Sequence, residues 1–388
     1  MRSKSKGRAV AVVMAAALTW ATGCAAGDTA SEEGGPEAST AGGVSSIELV
    51  KLATFANAAR PEIVVTDDRV FVIYLSLTNP VSFSVKIFNR GMTLELASKV
   101  LVPTSATYGK PTDIRVAKTA GYLYAFYETL SDTANRCYLF GARYSLDDAF
   151  EQVGSTDLIA TGKFFLQTTD GDELLNDPAV LVAENSVFSI TRYKSSLGTE
   201  GATRYKVYEF TKDLSTKTRE FDLDLSSVAD GQPRQTTAIS HEGYYYMAIG
   251  TTVGPAGGIE MMTPSDLVIV KLNTNWSVVE SKNISTDSSN PDDVETYFTG
   301  LAADSHNFYL DYVQIDVSAI DAGGFVVPLK IYDRDFNLVA QSTVRTKQRG
   351  ENGLRPSLEL TANQVFVGNS GGTMGSGSAE IYIYDIVR

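Results

Sequence analysis

Apolar and polar residues alternate with a period of two through most of the chain, and this pattern predicts β-strands. From residue 45 onward the alternating runs are short, and polar turns separate them. No segment carries the spacing of an amphipathic helix. The sequence therefore predicts an all-β domain.

One local pattern recurs six times: an apolar strand, a tight polar turn, and a strand rich in aromatic or β-branched residues. The residue that follows each turn recurs every 52 to 65 positions, at Val70, Tyr122, Val187, Tyr244, Phe308 and Val365. Five repeats begin with a proline, which is tolerated at the first residue of a strand; these are Pro61, Pro111, Pro178, Pro233 and Pro356. A repeat of this length indicates a repeat architecture.

A third alternating strand follows each hairpin, and five repeats continue into a fourth strand. The sixth repeat lacks that strand, but residues 46–55 before the first repeat can supply it. The sequence thus predicts a six-bladed β-propeller with four-stranded blades, in which the N-terminal strand completes the last blade. Closing the ring removes exposed sheet edges. A β-sandwich, or two smaller β domains, would not explain six equivalent hairpins.

The N-terminus combines four basic residues with the apolar run 9–20, which is too short to span a membrane. The following Ala21-Thr22-Gly23-Cys24 resembles the lipobox of bacterial lipoproteins, although Ala21 replaces the usual leucine. The resemblance implies that residues 1–23 are a signal peptide and that Cys24 is lipidated. An ordinary signal peptide is the alternative. Residues 24–44 contain almost no large apolar side chain, so we expect a flexible tether before a propeller at 45–388.

The composition narrows the possible partners. The chain has 33 Lys and Arg against 46 Asp and Glu, a formal net charge of −13, which argues against a nucleic-acid partner. We expect an exported monomer that contacts a bacterial membrane only through its lipid. Two Cys and two His exclude a Cys- or His-rich metal centre. We expect no cofactor, apart from the possibility of Ca²⁺ at an acidic segment whose oxygen ligands are Asp170, Asp172, Glu173, Asn176 and Asp177.

The two faces of the predicted propeller differ in loop length. The turns between first and second and between third and fourth strands are short, and they define the short-turn face. The loops on the opposite, long-loop face are long; they are 160–177, 251–265, 314–324 and 369–378. Long loops are often functional, so we expect the working site on the long-loop face. Tolerated insertions are the alternative.

Charged residues begin several predicted innermost strands and would surround the channel mouth on the long-loop face. They are Arg60, Lys110, Asp177, Arg234 and Arg355. Converging cations suit a carboxylate or another anionic ligand, although the same residues could be solvated or paired. By contrast, His241 and His306 fall in short turns of different blades, and Cys137 begins a strand, so we assign them no catalytic or metal role.

Two classes of function remain open. The first is a non-catalytic propeller that binds a protein or glycan at the cell envelope, because no nucleophile–base pair or phosphate loop emerges. The second is an envelope glycosidase or lyase. Arg60-Pro61 is faintly similar to the first-blade arginine of six-bladed sialidases, which hold a carboxylate with channel arginines. The Asp-boxes of that family are absent; Asp333-Arg334-Asp335-Phe336 comes nearest to one. We therefore favour binding.

Overall fold

The computed structural model describes residues 43–147, 149–162, 176–192, 204–228, 232–252, 267–284, 294–316, 325–347, 356–373 and 376–388. These residues form 25 β-strands arranged as six antiparallel sheets around an axis. No helix in these ranges is long and apolar enough to cross a membrane. The prediction of a six-bladed β-propeller is confirmed.

The strands follow the chain from blade to blade. The first half of the ring contains β2 (Ala58–Val65), β3 (Arg69–Ser76), β4 (Ser82–Asn89) and β5 (Glu95–Pro103) in blade 1; β6 (Lys110–Lys118), β7 (Tyr122–Ser131), β8 (Arg136–Ser145), β9 (Gln152–Ser155) and β10 (Ala160–Gly162) in blade 2; and β11 (Asn176–Val182), β12 (Ser186–Arg192), β13 (Arg204–Thr211) and β14 (Lys217–Asp224) in blade 3. Blade 2 departs from the prediction, because two short strands, β9 and β10, both pair with β8 in place of one fourth strand.

The second half of the ring contains β15 (Gln232–His241), β16 (Tyr244–Thr252), β17 (Leu267–Leu272) and β18 (Val278–Asn283) in blade 4; β19 (Val294–Ala303), β20 (Phe308–Asp316), β21 (Phe325–Tyr332) and β22 (Leu338–Lys347) in blade 5; and β23 (Ser357–Leu360), β24 (Gln364–Thr373) and β25 (Ser376–Val387) in blade 6. Residues 369–378, expected as a long loop, instead lie largely in the β24–β25 hairpin, where Gly371 pairs with Ser378. The small glycine and serine side chains of this segment do not obstruct strand pairing, so its backbone forms an antiparallel hairpin and not an open loop.

The N-terminal strand β1 (Ser46–Ala56) closes the ring. It pairs antiparallel with β25, from Ser46 opposite Val387 to Ala56 opposite Ser378, and completes blade 6 in the order β1-β25-β24-β23. The Lys51 ammonium of this strand also donates to the carbonyl oxygens of Gly91 (2.6 Å) and Met92 (3.0 Å) in blade 1. The first and last blades are therefore joined through β1, as the strand count predicted.

A bulge recurs in the innermost strand of five blades. One extra residue is accommodated between Ala59 and Glu62, with the equivalent irregularities at Pro111/Asp113, Asn176/Ala179, Pro233/Thr236 and Tyr297/Thr299. The sequence had suggested that the repeat prolines are the first residues of their strands. Four of them instead lie at these bulges. A bulged residue needs no ladder N–H, so proline is tolerated there as well.

The turns between the third and fourth strands share an unusual backbone conformation. Each carries a buried apolar residue with a positive φ, between 42° and 66°; these are Met92, Phe150, Leu214, Trp276 and Phe336. A left-handed conformation is unfavourable for such side chains. Packing between blades offsets the strain: Trp276, for example, meets the rings of Phe188, Phe221 and Tyr245 at centroid distances of 4.9 to 5.5 Å. The hydrophobic core accordingly lies between neighbouring blades.

Candidate functional site

Six residues at one register position of the innermost strands form a layer across the middle of the central channel. Each lies four residues before the residue that pairs across the two-residue hairpin turn, and together they are Glu62, Arg115, Ala179, Thr237, Gly300 and Ser357. We call this the mid-channel layer. All six border a cavity of about 310 Å³ that runs from this layer toward the short-turn face, where Lys118, Ser240 and Leu360 also line it.

An ion pair between neighbouring blades dominates this layer. The Arg115 guanidinium in blade 2 lies 2.8 Å from the Glu62 carboxylate in blade 1, and both side chains are more than nine-tenths buried. The same Arg115 nitrogen donates to the carbonyl oxygen of Pro356 in blade 6, at 3.1 Å. Arg115 thereby ties three blades together at the axis. Removing either partner would leave the other charge buried and uncompensated.

Asp311 is a second buried acid beside this pair. It lies on β20 opposite Gly300, and a Cβ at Gly300 would come within 2.1 Å of its carboxylate oxygen, so the missing side chain makes room for the acid. Complete burial raises the pKa of Asp311 to about 8, although the Arg115 charge and nearby backbone N–H groups oppose the shift. Asp311 is thus largely protonated at neutral pH.

A second ion pair lies at the short-turn end of the cavity. The Lys118 ammonium contacts the Glu359 carboxylate, joining blade 2 to blade 6. Lys118 also donates to the carbonyl oxygen of Val65 in blade 1. The cavity is therefore bordered by two cations and two acids that are already paired, together with the hydroxyl groups of Thr237, Ser240 and Ser357.

Two further acids lie side by side in blade 2. Asp113 and Glu128 are register partners on β6 and β7, and both are essentially buried. One oxygen of Asp113 accepts the N–H of Ile114, at 3.0 Å. Directly opposed residues have Cβ atoms ~4.5–5.5 Å apart, so the two side chains leave the same face of the sheet from neighbouring positions.

The residues predicted to surround the channel mouth have separate surroundings. Arg60 has a φ of 52° at the bulge of β2, and its guanidinium donates to the carbonyl oxygen of Thr112. Lys110 is exposed and lies 3.0 Å from the Asp132 carboxylate. Asp177 and Arg234 belong to β11 and β15, but their side chains lie outside the described part, as do Arg355, Cys24 and the acidic residues 170–173.

The two histidines lie in turns of different blades, but these two turns are close to each other. Arg334 joins the turns: its Nη2 donates to His241 Nε2 at 2.6 Å and its Nε to the Ser305 carbonyl oxygen at 3.3 Å, next to His306. Burial and the Arg334 charge lower the pKa of His241. Among the described residues no cluster of His, Cys, Asp and Glu could hold a metal ion.

Sequence reasoning missed the mid-channel layer. Glu62, Arg115 and Gly300 lie at a fixed distance before the hairpin turn, so aligning the six repeats on that turn would have grouped them. We instead selected charges at strand starts, on the far side of the bulges. Cys137, expected to begin a strand, is the second residue of β8 and is fully buried.

Comparisons with known proteins support the architecture. No protein-family model and no curated protein matches the chain. An α-L-arabinofuranosidase of Fusarium graminearum is similar in structure, with a TM-score of 0.57, 10% identity, and coverage of 87% of this chain and 98% of that chain. A sialidase of Trypanosoma rangeli has a TM-score of 0.51, 11% identity, and coverage of 84% and 55%. At such identities these likenesses establish the fold alone.

Proposed function

We propose that the protein is a non-catalytic, lipid-anchored propeller that binds a glycan in its central channel at a bacterial cell envelope. The similar structures support a glycan ligand, because they include the arabinofuranosidase in complex with arabinobiose and the sialidase in complex with sialic acid. The lipid at Cys24, the envelope location and the monomeric state are parts of this proposal that rest on the sequence.

The proposal that the protein is non-catalytic rests on the channel carboxylates, which are paired or buried. Glycoside hydrolysis generally needs two carboxyl groups that flank one bond, with both reaching the substrate. The described side chains of the inner strands include three acids. Glu62 is paired with Arg115, Glu359 is paired with Lys118, and Asp113 is buried. No two of these carboxylates face the cavity unpaired.

The proposal that the protein binds a glycan rests on the size and lining of the cavity. Its volume of about 310 Å³ lies at the lower end of the range for small-molecule sites. Its border offers hydroxyl groups, carbonyl oxygens and paired charges, which suit sugar hydroxyls because each hydroxyl both donates and accepts a hydrogen bond. A ligand of one or two sugar units matches this space.

Binding and turnover can be measured on the same sample. The full chain is purified in a detergent without a sugar head group and titrated calorimetrically with arabinobiose and other oligosaccharides, and each ligand is then recovered and analysed by chromatography. We expect saturable binding with the ligand intact. Lys118→Gln, at the cavity, should weaken binding about tenfold, whereas Lys99→Gln, on the outer strand β5, should not. Released monosaccharide would contradict the non-catalytic assignment, and no binding by any sugar would contradict the glycan assignment.

Hydrolysis is a second candidate because of the Asp113–Glu128 pair, which is buried and does not border the cavity, so this candidate requires blade 2 to open to the substrate. Retaining glycosidases hold two carboxyl groups about 5–5.5 Å apart, a separation that register partners can achieve. If the protein hydrolyses a glycoside through this pair, Asp113→Asn and Glu128→Gln should each lower kcat at least ~10³-fold while ligand binding persists. The exposed Asp132→Asn is the matched control, and activity that survives both substitutions would exclude the pair.

A further inference from the structure

The charge state of the inner strands indicates what kind of glycan the channel takes. Four cations of these strands have described side chains, and each already has a partner. Arg60 donates to a carbonyl oxygen, while Lys110, Arg115 and Lys118 contact Asp132, Glu62 and Glu359, respectively. In the part that the structure describes, three of these four cations are therefore balanced by an acid, and Arg60 is held by a neutral carbonyl oxygen.

Because these cations are already partnered, binding of an anionic ligand is unfavourable. Capture of a sugar carboxylate requires a guanidinium or ammonium group whose donors can turn to the ligand, in a region of positive potential. Arg115 could turn only by leaving Glu62, which is more than nine-tenths buried and would become an uncompensated charge. The Lys118 ammonium has a third donor, but the Glu359 carboxylate lies against it and lines the cavity, so an anion bound there would be repelled.

We infer that the ligand is a neutral saccharide and that acidic sugars such as sialic or uronic acids are disfavoured. This inference rests on the proposed glycan-binding function and specifies its ligand class. Neutral hydroxyls can accept from the partly exposed Lys118 ammonium and donate to the partly exposed Glu359 carboxylate without separating this ion pair, and they bring no charge that must be balanced.

A matched pair of ligands tests the inference directly. Lactose and 3′-sialyllactose differ only by one acidic sugar, and arabinobiose serves as a second neutral probe. With the full chain in a detergent without a sugar head group, we expect 3′-sialyllactose to bind at least about tenfold more weakly than the better neutral probe. Raising NaCl from about 50 to about 500 mM should change the neutral affinity less than twofold, because no charge pair forms.

A variant then tests the cause. Glu359→Gln frees the Lys118 ammonium in the cavity, so the ratio of sialylated to neutral affinity should rise at least about fivefold. Glu95→Gln, which frees Lys86 on the outer strands of blade 1, should leave the ratio unchanged. Equal or tighter binding of 3′-sialyllactose by the unmodified protein, or an unchanged ratio in Glu359→Gln, would overturn the inference. Absence of binding by all three sugars would instead contradict the proposed function itself.

Discussion

At the scale of single residues, several ionisable side chains are buried near the axis of the propeller. Asp311 lies against Gly300 in complete burial, beside the Arg115–Glu62 pair. Tyr384, on the neighbouring blade, also faces Asp311, and burial raises the pKa of this phenol to about 12. Protonated Asp311 is compatible with this environment because burial penalises only the charged form strongly. Deprotonation would place a second negative charge near Glu62.

This arrangement predicts a pH dependence of stability. The pKa of Asp311 is about 8 in the folded protein and ~3.9 in the unfolded chain. Between these values the folded state binds more protons, so the free energy of unfolding should fall as pH rises from ~4 to ~8, by at most ~1.4 kcal/mol per pH unit from this group. Asp311→Asn should remove that contribution. Urea unfolding at pH 5 and pH 8 measures the difference.

Asp147→Asn provides the control for Asp311. The Ser145 hydroxyl holds the pKa of this turn carboxyl below its usual range, so the group stays ionised from pH 5 to pH 8. Its loss should leave the wild-type pH slope in that window unchanged. Identical slopes for the wild type and Asp311→Asn would show that Asp311 does not titrate in this range.

The same residues explain what sequence reasoning could and could not predict about the site. The inner hairpins were predicted because their alternation and tight turns are local signals. The bulges were not predicted, and an added residue between Ala59 and Glu62 exchanges the faces to which the preceding side chains point. Charges at the bulge, such as Arg60, were therefore chosen over Glu62 and Arg115 beyond it.

At the scale of elements, the strand deficit of the last repeat was sufficient to predict closure by β1. The apolar left-handed turns were not predicted, because their common feature is a backbone conformation and the five apolar residues differ in type. Lysines of one blade recognise these turns in the next: Lys51 binds the Met92 turn, and Lys282 donates to the Phe336 carbonyl oxygen at 2.7 Å. Blade contacts therefore depend on backbone carbonyls as well as on the apolar core.

Closure makes the N-terminal strand more important to stability than the segment before it. Deleting residues 45–55 removes the β1–β25 ladder and the Lys51 contacts with blade 1, and it exposes an edge of β25. We expect the melting temperature to fall by roughly 10 °C or more. Deleting residues 25–43, which are poor in large apolar side chains and stop short of the buried core residue Val44, should change it little. Circular dichroism melts compare the two deletions, and equal melting temperatures would contradict closure by β1.

At the scale of the whole molecule, charge and anchoring have separate roles. The chain is acidic, with a formal net charge of −13, and loss of residues 1–23 would remove four further positive charges. A domain of this sign is repelled by anionic lipid surfaces. Membrane attachment through the protein surface is therefore unfavourable, and a covalent lipid would have to supply it.

Substitution of the proposed lipidation site should release the protein from membranes. A single acyl chain gives only marginal binding, so stable attachment of an acidic domain requires the multiple chains that a lipoprotein cysteine carries. In cell fractionation, Cys24→Ser should move the protein from the membrane to the soluble fraction, and the mass of the attached lipid should disappear from the mature chain. Cys137→Ala is the matched control, because this cysteine is fully buried in blade 2 and cannot reach a lipid-transfer enzyme in the folded protein. The control should stay with the membrane. A processed Cys24→Ser protein that still fractionates with membranes would show that a different feature of the chain provides the anchor.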